Sequence, residues 1–142
     1  MLSDKTKTIV KSTLPLLREK GENITTHMYE LLFAKHPEAK QLFSQAPKGQ
    51  PRVLASAIIS YCNNIDNLVA MEGAVEMIAR RHVFSGVKPE HYPFVGEALL
   101  QAMQEVLGEQ ATSEVMTAWE EAYTFLADVL IKRESELYAS TY

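Results

Sequence analysis

The stretch MIARRHVFSGVKPEHYPFVG, residues 77–96, reads as the end of an apolar helix, a turn and the start of another helix. Gly86 is placed to stop the first helix and Pro93 to open the second. Upstream, Met71, Val75 and Ile78 are spaced by four and three, as on one helical face, and the next step of four lands on His82. A chain with four histidines in 142 residues therefore sets one of them on a stripe that should face the core.

Working outward, the same helical period covers almost the whole chain. Ser3 is suited to cap a first helix carrying Ile9, Val10, Leu14 and Leu17, with a possible bend at Pro15 and a stop at Gly21. A second helix is predicted over 24–35, and Pro37 can open a short one through PEAKQLF. SQAPKG reads as a loop, after which Pro51 suits the first turn of a helix bearing Leu54, Ile58, Tyr61 and Ile65. Further helices are expected from residue 69 to 84, from Pro93 to Gly108, and from 113 to 138 behind a Thr112 or Ser113 cap. No alternating strand pattern of useful length is found, so the expectation is an all-α fold of about seven helices.

Bulk composition narrows the function classes. A length of 142 residues suits one domain with a real core, and 46% apolar with 23% charged residues is ordinary globular composition. A net charge of -4 leaves no basic footprint for nucleic acid. No apolar run approaches the roughly 18 residues of a membrane span. The opening MLSDKTKTIVK lacks a signal-peptide core, which points to the cytoplasm. One cysteine, Cys62, excludes an internal disulfide and reads as a small core thiol.

Two more polar residues fall where hydrocarbon is expected. On the last helix, Tyr123, Leu126 and Leu130 form a stripe whose next step of four is Glu134, followed by Leu137. A carboxylate there is costly to desolvate unless groups donate to it. Tyr92, between His91 and Pro93, brings a hydroxyl to the turn after His82. His82, Tyr92 and Glu134 could satisfy one another around a single imidazole. No cysteine, histidine or carboxylate stands near His82 at zinc-site spacing. One histidine suffices only where a cofactor supplies the other metal ligands, as the four ring nitrogens of a haem do.

Several motifs then agree in order and spacing: LFAKHPE (32–38), Leu42–Phe43, QPRVLA (50–55), HYPFVG (91–96), AWEEAY (118–123) and ADVLI (127–131) through Tyr138. Together they resemble the bacterial flavohaemoglobin-type globins, above all the single-domain Vitreoscilla-type haemoglobins. The resemblance implies a globin fold around haem b, with residues 1–142 as one globin domain and no reductase domain. It makes His82 the iron ligand, with Tyr92 and Glu134 as its proximal hydrogen-bonding partners. Phe43 falls on the haem-packing phenylalanine, Tyr29 on the distal tyrosine, and Gln50 and Leu54 on the distal helix. It further sets Arg81, Val95 and Tyr123 along the haem. The loop after Phe43 is shorter than in Vitreoscilla-type chains, so whether Gln50 points into the pocket stays open.

The implied activity is reversible dioxygen binding, as a carrier or buffer, with reaction toward nitric oxide and with carbon monoxide or cyanide as further ligands. The alternative is a nitric oxide dioxygenase forming nitrate, or a peroxidase-like side activity. Six glycines never approach GxGxxG spacing, so a separate flavin reductase would have to supply electrons. The ending ESELYASTY resembles the natural end of the single-domain proteins. Homodimers occur among such relatives. A haem-free helical interaction module is the remaining class.

Overall fold

A computed structural model describes residues 2–43 and 49–140. Six α-helices run in the order α1 (Asp4–Ser12), α2 (Leu14–Lys35), α3 (Gln50–Asn63), α4 (Glu72–Ser85), α5 (His91–Leu107) and α6 (Ser113–Ser140). The expected short helix is a 3-10 segment, Pro37–Phe43, and there are no strands among the described residues. Residues 44–48 of the expected loop lie outside the described residues.

The first helix differs from the sequence expectation. It ends at Ser12, and α2 then runs unbroken through Gly21 to Lys35. Pro15 stands in the first turn of α2, where a missing N–H leaves no bond unmade. The break is held by buried polar groups that short-range pattern does not reveal. The Trp119 indole N–H donates to Thr13 Oγ1 at 3.1 Å, and Thr13 Oγ1 donates to the Val10 carbonyl at 2.6 Å. Cys62 Sγ donates to the same carbonyl at 3.1 Å, so the thiol is a fully buried core group. Gly21 serves packing rather than termination. A Cβ built there would lie 3.6 Å from both Ala55 Cβ and Ile59 Cδ1, so α2 and α3 cross closely at this point.

At the other end of α1, Ser3 accepts from the Thr6 N–H at 3.1 Å, and Thr6 Oγ1 donates to Glu121 at 2.6 Å, tying α1 to α6. α2 packs on α3 and α5, while α6 packs on α1, α4 and α5. The main core gathers Val10, Leu17, Ile24, Met28, Leu32, Ile65, Met103 and Trp119. A second, smaller cluster of Ala79, Tyr92, Ala127, Leu130 and Leu137 lies between α4, α5 and α6. Val75, Tyr123 and Leu126 touch both clusters. No helix among the described residues is long and apolar enough to cross a membrane.

Candidate functional site

The second cluster holds the polar anomalies. α4 ends as its glycine dictates: Gly86 takes φ 85°, and its N–H donates to Val83 O at 3.2 Å. The Val87 N–H closes the cap on the His82 carbonyl at 2.9 Å. His82 therefore sits in the last turn of a terminated helix, half-buried, facing α5 and α6. Met71 departs from the expected stripe, since it ends a separate 3-10 turn, Leu68–Met71, and α4 starts only at Glu72.

His82, Tyr92 and Glu134 converge. His82 Nδ1 lies 2.8 Å from Glu134 Oε2 and 2.9 Å from the Tyr92 hydroxyl. That hydroxyl donates to Glu134, 2.7 Å from Oε2 and 2.9 Å from Oε1. Glu134 is only 3% exposed, so two donors meet a carboxylate removed from water. Tyr92 remains a donor at any ordinary pH, because burial and the adjoining carboxylate push its hydroxyl well above the usual tyrosine range. With Glu134 accepting, a neutral imidazole carries its proton on Nδ1 and leaves the Nε2 lone pair for a metal. Nε2 makes no hydrogen bond with a described residue.

Helix α6 braces this cluster at three more points that the sequence did not disclose. Tyr123 donates to the Tyr92 carbonyl at 2.7 Å, and Tyr138 donates to the Val87 carbonyl at 2.7 Å. Val87 is the residue whose N–H caps α4, so both ends of the turn after His82 are tied to α6. Arg133 forks onto Glu76 of α4, with Nε 2.6 Å from Oε1 and Nη2 3.0 Å from Oε2. Arg80 joins the same carboxylate at 2.7 Å, and these guanidinium contacts lower Glu76 to about 2. The phases of Tyr123 and Tyr138 on α6 were readable, but their acceptors are backbone carbonyls set by the turn.

The other expected site residues lie on α2, the 3-10 segment Pro37–Phe43, α3, α4, α5 and α6. Tyr29 is buried in α2 and tilts against Phe33 with ring centroids 5.7 Å apart. Its hydroxyl is raised by burial, and a hydrogen bond with the Gln50 side chain works in the opposite direction. Leu54, one turn after Gln50, packs half-buried on the main core, as do Val95 and Tyr123. Arg81 is exposed. Phe43 closes its 3-10 helix, but its side chain lies outside the described residues.

These groups can serve a metal in one way. Among the described residues no three His, Cys, Asp or Glu side chains gather to hold an ion. A lone, tautomer-fixed imidazole nitrogen instead matches a cofactor that brings its own equatorial ligands. The donor set fits haem.

Comparison with known proteins agrees. The Globin family profile matches residues 26–130. An uncharacterized globin-like protein of Aquifex aeolicus is 54% identical over 98% of this chain and 99% of its own length. A flavohemoprotein of Halalkalibacterium halodurans is 47% identical over 96% of this chain, which spans only 34% of that protein. Among solved structures, an engineered carbene transferase built on a Rhodothermus marinus protein provisionally assigned as a nitric oxide dioxygenase superposes with a TM-score of 0.96, at 39% identity and 99% coverage of both chains. A bacterial globin from Campylobacter jejuni superposes with a TM-score of 0.89, at 36% identity, over 96% of this chain and 99% of its own. A Malassezia yamatoensis flavohemoglobin solved with bound FAD and heme gives a TM-score of 0.77 at 26% identity, over 97% of this chain and 38% of its own. With the helical order, the histidine cluster and these matches in agreement, the chain belongs to the globin family.

Proposed function

We propose that this chain is a haem b globin that binds dioxygen reversibly and reacts with nitric oxide, with His82 as the iron ligand. Haem is the cofactor, and when bound it supplies an iron that ligates diatomic gases. The observation that carries the reading is the hydrogen-bonded cluster of His82, Tyr92 and Glu134. Glu134 holds the proton on Nδ1, presents the Nε2 lone pair outward and makes the imidazole a stronger electron donor. On the opposite, distal side, the Tyr29 hydroxyl and the Gln50 amide would donate to the outer atom of a bound ligand, with Leu54 shaping the apolar wall. Phe43, Val95, Tyr123 and Arg81 would line or flank the macrocycle. Carbon monoxide and cyanide are expected as further ligands.

The carboxylate behind His82 also favours a second reading, nitric oxide dioxygenase activity. Electron donation through the imidazole assists oxygen chemistry as well as oxygen binding. Nitric oxide plus dioxygen needs one electron to become nitrate, and a flavin reductase would supply it to the globin. The flavohemoproteins that the chain matches over about a third of their length support this reading, as does the Rhodothermus marinus protein.

An absorption spectrum after haem is supplied tests the cofactor, and the lack of a Soret band would end both readings. Tyr29→Phe then tests the distal role. A charge-assisted hydrogen bond contributes about 1.5–3 kcal/mol, so dioxygen should leave about ten to a hundred times faster from the variant. An unchanged off-rate would remove Tyr29 from ligand stabilisation.

A further inference from the structure

We infer that Thr25 is a positioning residue for the distal side: its buried hydroxyl latches the first turn of α3, the turn that carries Gln50. This rests on the proposed distal roles of Tyr29 and Gln50. Thr25 is fully buried, and its Oγ1 donates to the Pro51 carbonyl at 2.6 Å. Pro51 directly follows Gln50 in α3. Tyr29 lies four residues after Thr25 on α2, one turn along the same face.

The three positions form one series. Gly21 packs beside Ala55 and Ile59, Thr25 reaches Pro51, and Tyr29 lies near Gln50. Successive turns of α2 thus descend α3 toward its N-terminus. That N-terminus has no side-chain cap; its N-cap is Gly49 at φ 85°. Another polar tie between these helices there, Arg52 to Glu22 at 3.8 Å, is solvent-exposed and screened. The hydroxyl of Thr25 is therefore the buried directional restraint on the turn that carries Gln50.

The restraint is a bias rather than a lock. Thr25 Oγ1 also lies 3.2 Å from the Glu22 carbonyl, within its own helix. One hydroxyl proton serves the shorter contact to Pro51, yet it can turn back to Glu22 if the first turn of α3 moves away. The Pro51 carbonyl also keeps its place as an acceptor inside α3, so losing Thr25 orphans no buried group. A net hydrogen bond of this kind shifts a population about two- to twelve-fold.

The test uses the haem-loaded chain with dioxygen as the probe. Thr25→Val, which keeps the side-chain shape, should raise the dioxygen off-rate about two- to twelve-fold. Thr25→Ser should restore it, and Thr25→Ala provides a second hydroxyl-free variant. In a Gln50→Leu background the Thr25→Val effect should vanish, because the residue being positioned is gone. Amide exchange at residues 52–55 should quicken in Thr25→Val and not in Thr25→Ser. An unchanged off-rate in both hydroxyl-free variants would overturn the inference, even if amide exchange quickened, and so would an equal effect in the Gln50→Leu background. If haem binds but neither Tyr29→Phe nor Gln50→Leu alters the off-rate, the distal reading itself fails and takes this inference with it. Failure confined to the Thr25 variants sinks only the latch.

Discussion

Replacing Tyr92 by phenylalanine isolates a single hydroxyl at the centre of the histidine cluster. The ring is 8% exposed and would keep its packing, and the Tyr123 bond to residue 92 goes to the backbone, so both survive the change. What disappears is a donor 2.7–2.9 Å from the two oxygens of Glu134, itself 3% exposed. A hydrogen bond to a charged group contributes about 1.5–3 kcal/mol, and the carboxylate would be left with His82 Nδ1 as its donor. Urea unfolding of the haem-saturated protein, followed by circular dichroism at constant total haem, should show a loss of about 1.5–3 kcal/mol. For a chain of this size that corresponds to a Tm lowered by roughly 3–12 °C. In a Glu134→Leu background the same replacement should cost under about 0.5 kcal/mol, since the acceptor is gone, giving a coupling of at least about 1 kcal/mol. The iron–histidine stretching band supplies an independent sign. Without the tyrosine, Glu134 becomes a stronger acceptor for Nδ1–H and the band should rise, whereas Glu134→Leu should lower it. Equal losses in both backgrounds, or bands that move together, would refute the reasoning.

Two further perturbations probe the framework around that cluster. A Cβ at Gly96 would stand 2.6 Å from Tyr123 Cε2 and 3.0 Å from Cδ2, on a ring tethered to the Tyr92 carbonyl. Gly96→Ala should therefore destabilise by about 1–3 kcal/mol, and pairing it with Tyr123→Leu, which withdraws the ring, should reduce that loss in the same unfolding assay. Glu76 is lowered from the ordinary 4.5 to about 2, chiefly by Arg133, so the folded state favours its charged form. The stabilisation from this ion cluster is present above pH 4.5 and is lost as pH falls toward 2. Glu76→Gln should flatten the acid limb of a stability-versus-pH curve over that window, and an unaltered limb would show that the fork contributes nothing there.

Much of the fold was legible because helical period is a local property. The start of α6 near Thr112 and the stop of α4 at Gly86 follow from residues a turn or less away. Where the reading went astray, the deciding partner was remote. Gly21 looked like a terminator, yet α2 passes through it, buried where it faces Ala55 and Ile59 of α3. The break at Thr13 depends on Trp119, 106 residues further along the chain.

The candidate site divides in the same way. Helical phase alone marked His82 and Glu134 as polar residues on core-facing stripes, since a step of four places each beside its apolar neighbours. Their meeting at 2.8 Å, across 52 residues, is a consequence of how α4 and α6 pack. So are the Tyr138 tether on Val87 and the Thr25 reach to Pro51, because a backbone carbonyl carries no side-chain signature and becomes an acceptor only where the folded chain presents it. Sequence by itself determined which residues were out of place in an all-helical protein. Tertiary structure decided which of them touch, because contacts between distant helices depend on crossing geometry that no local period encodes.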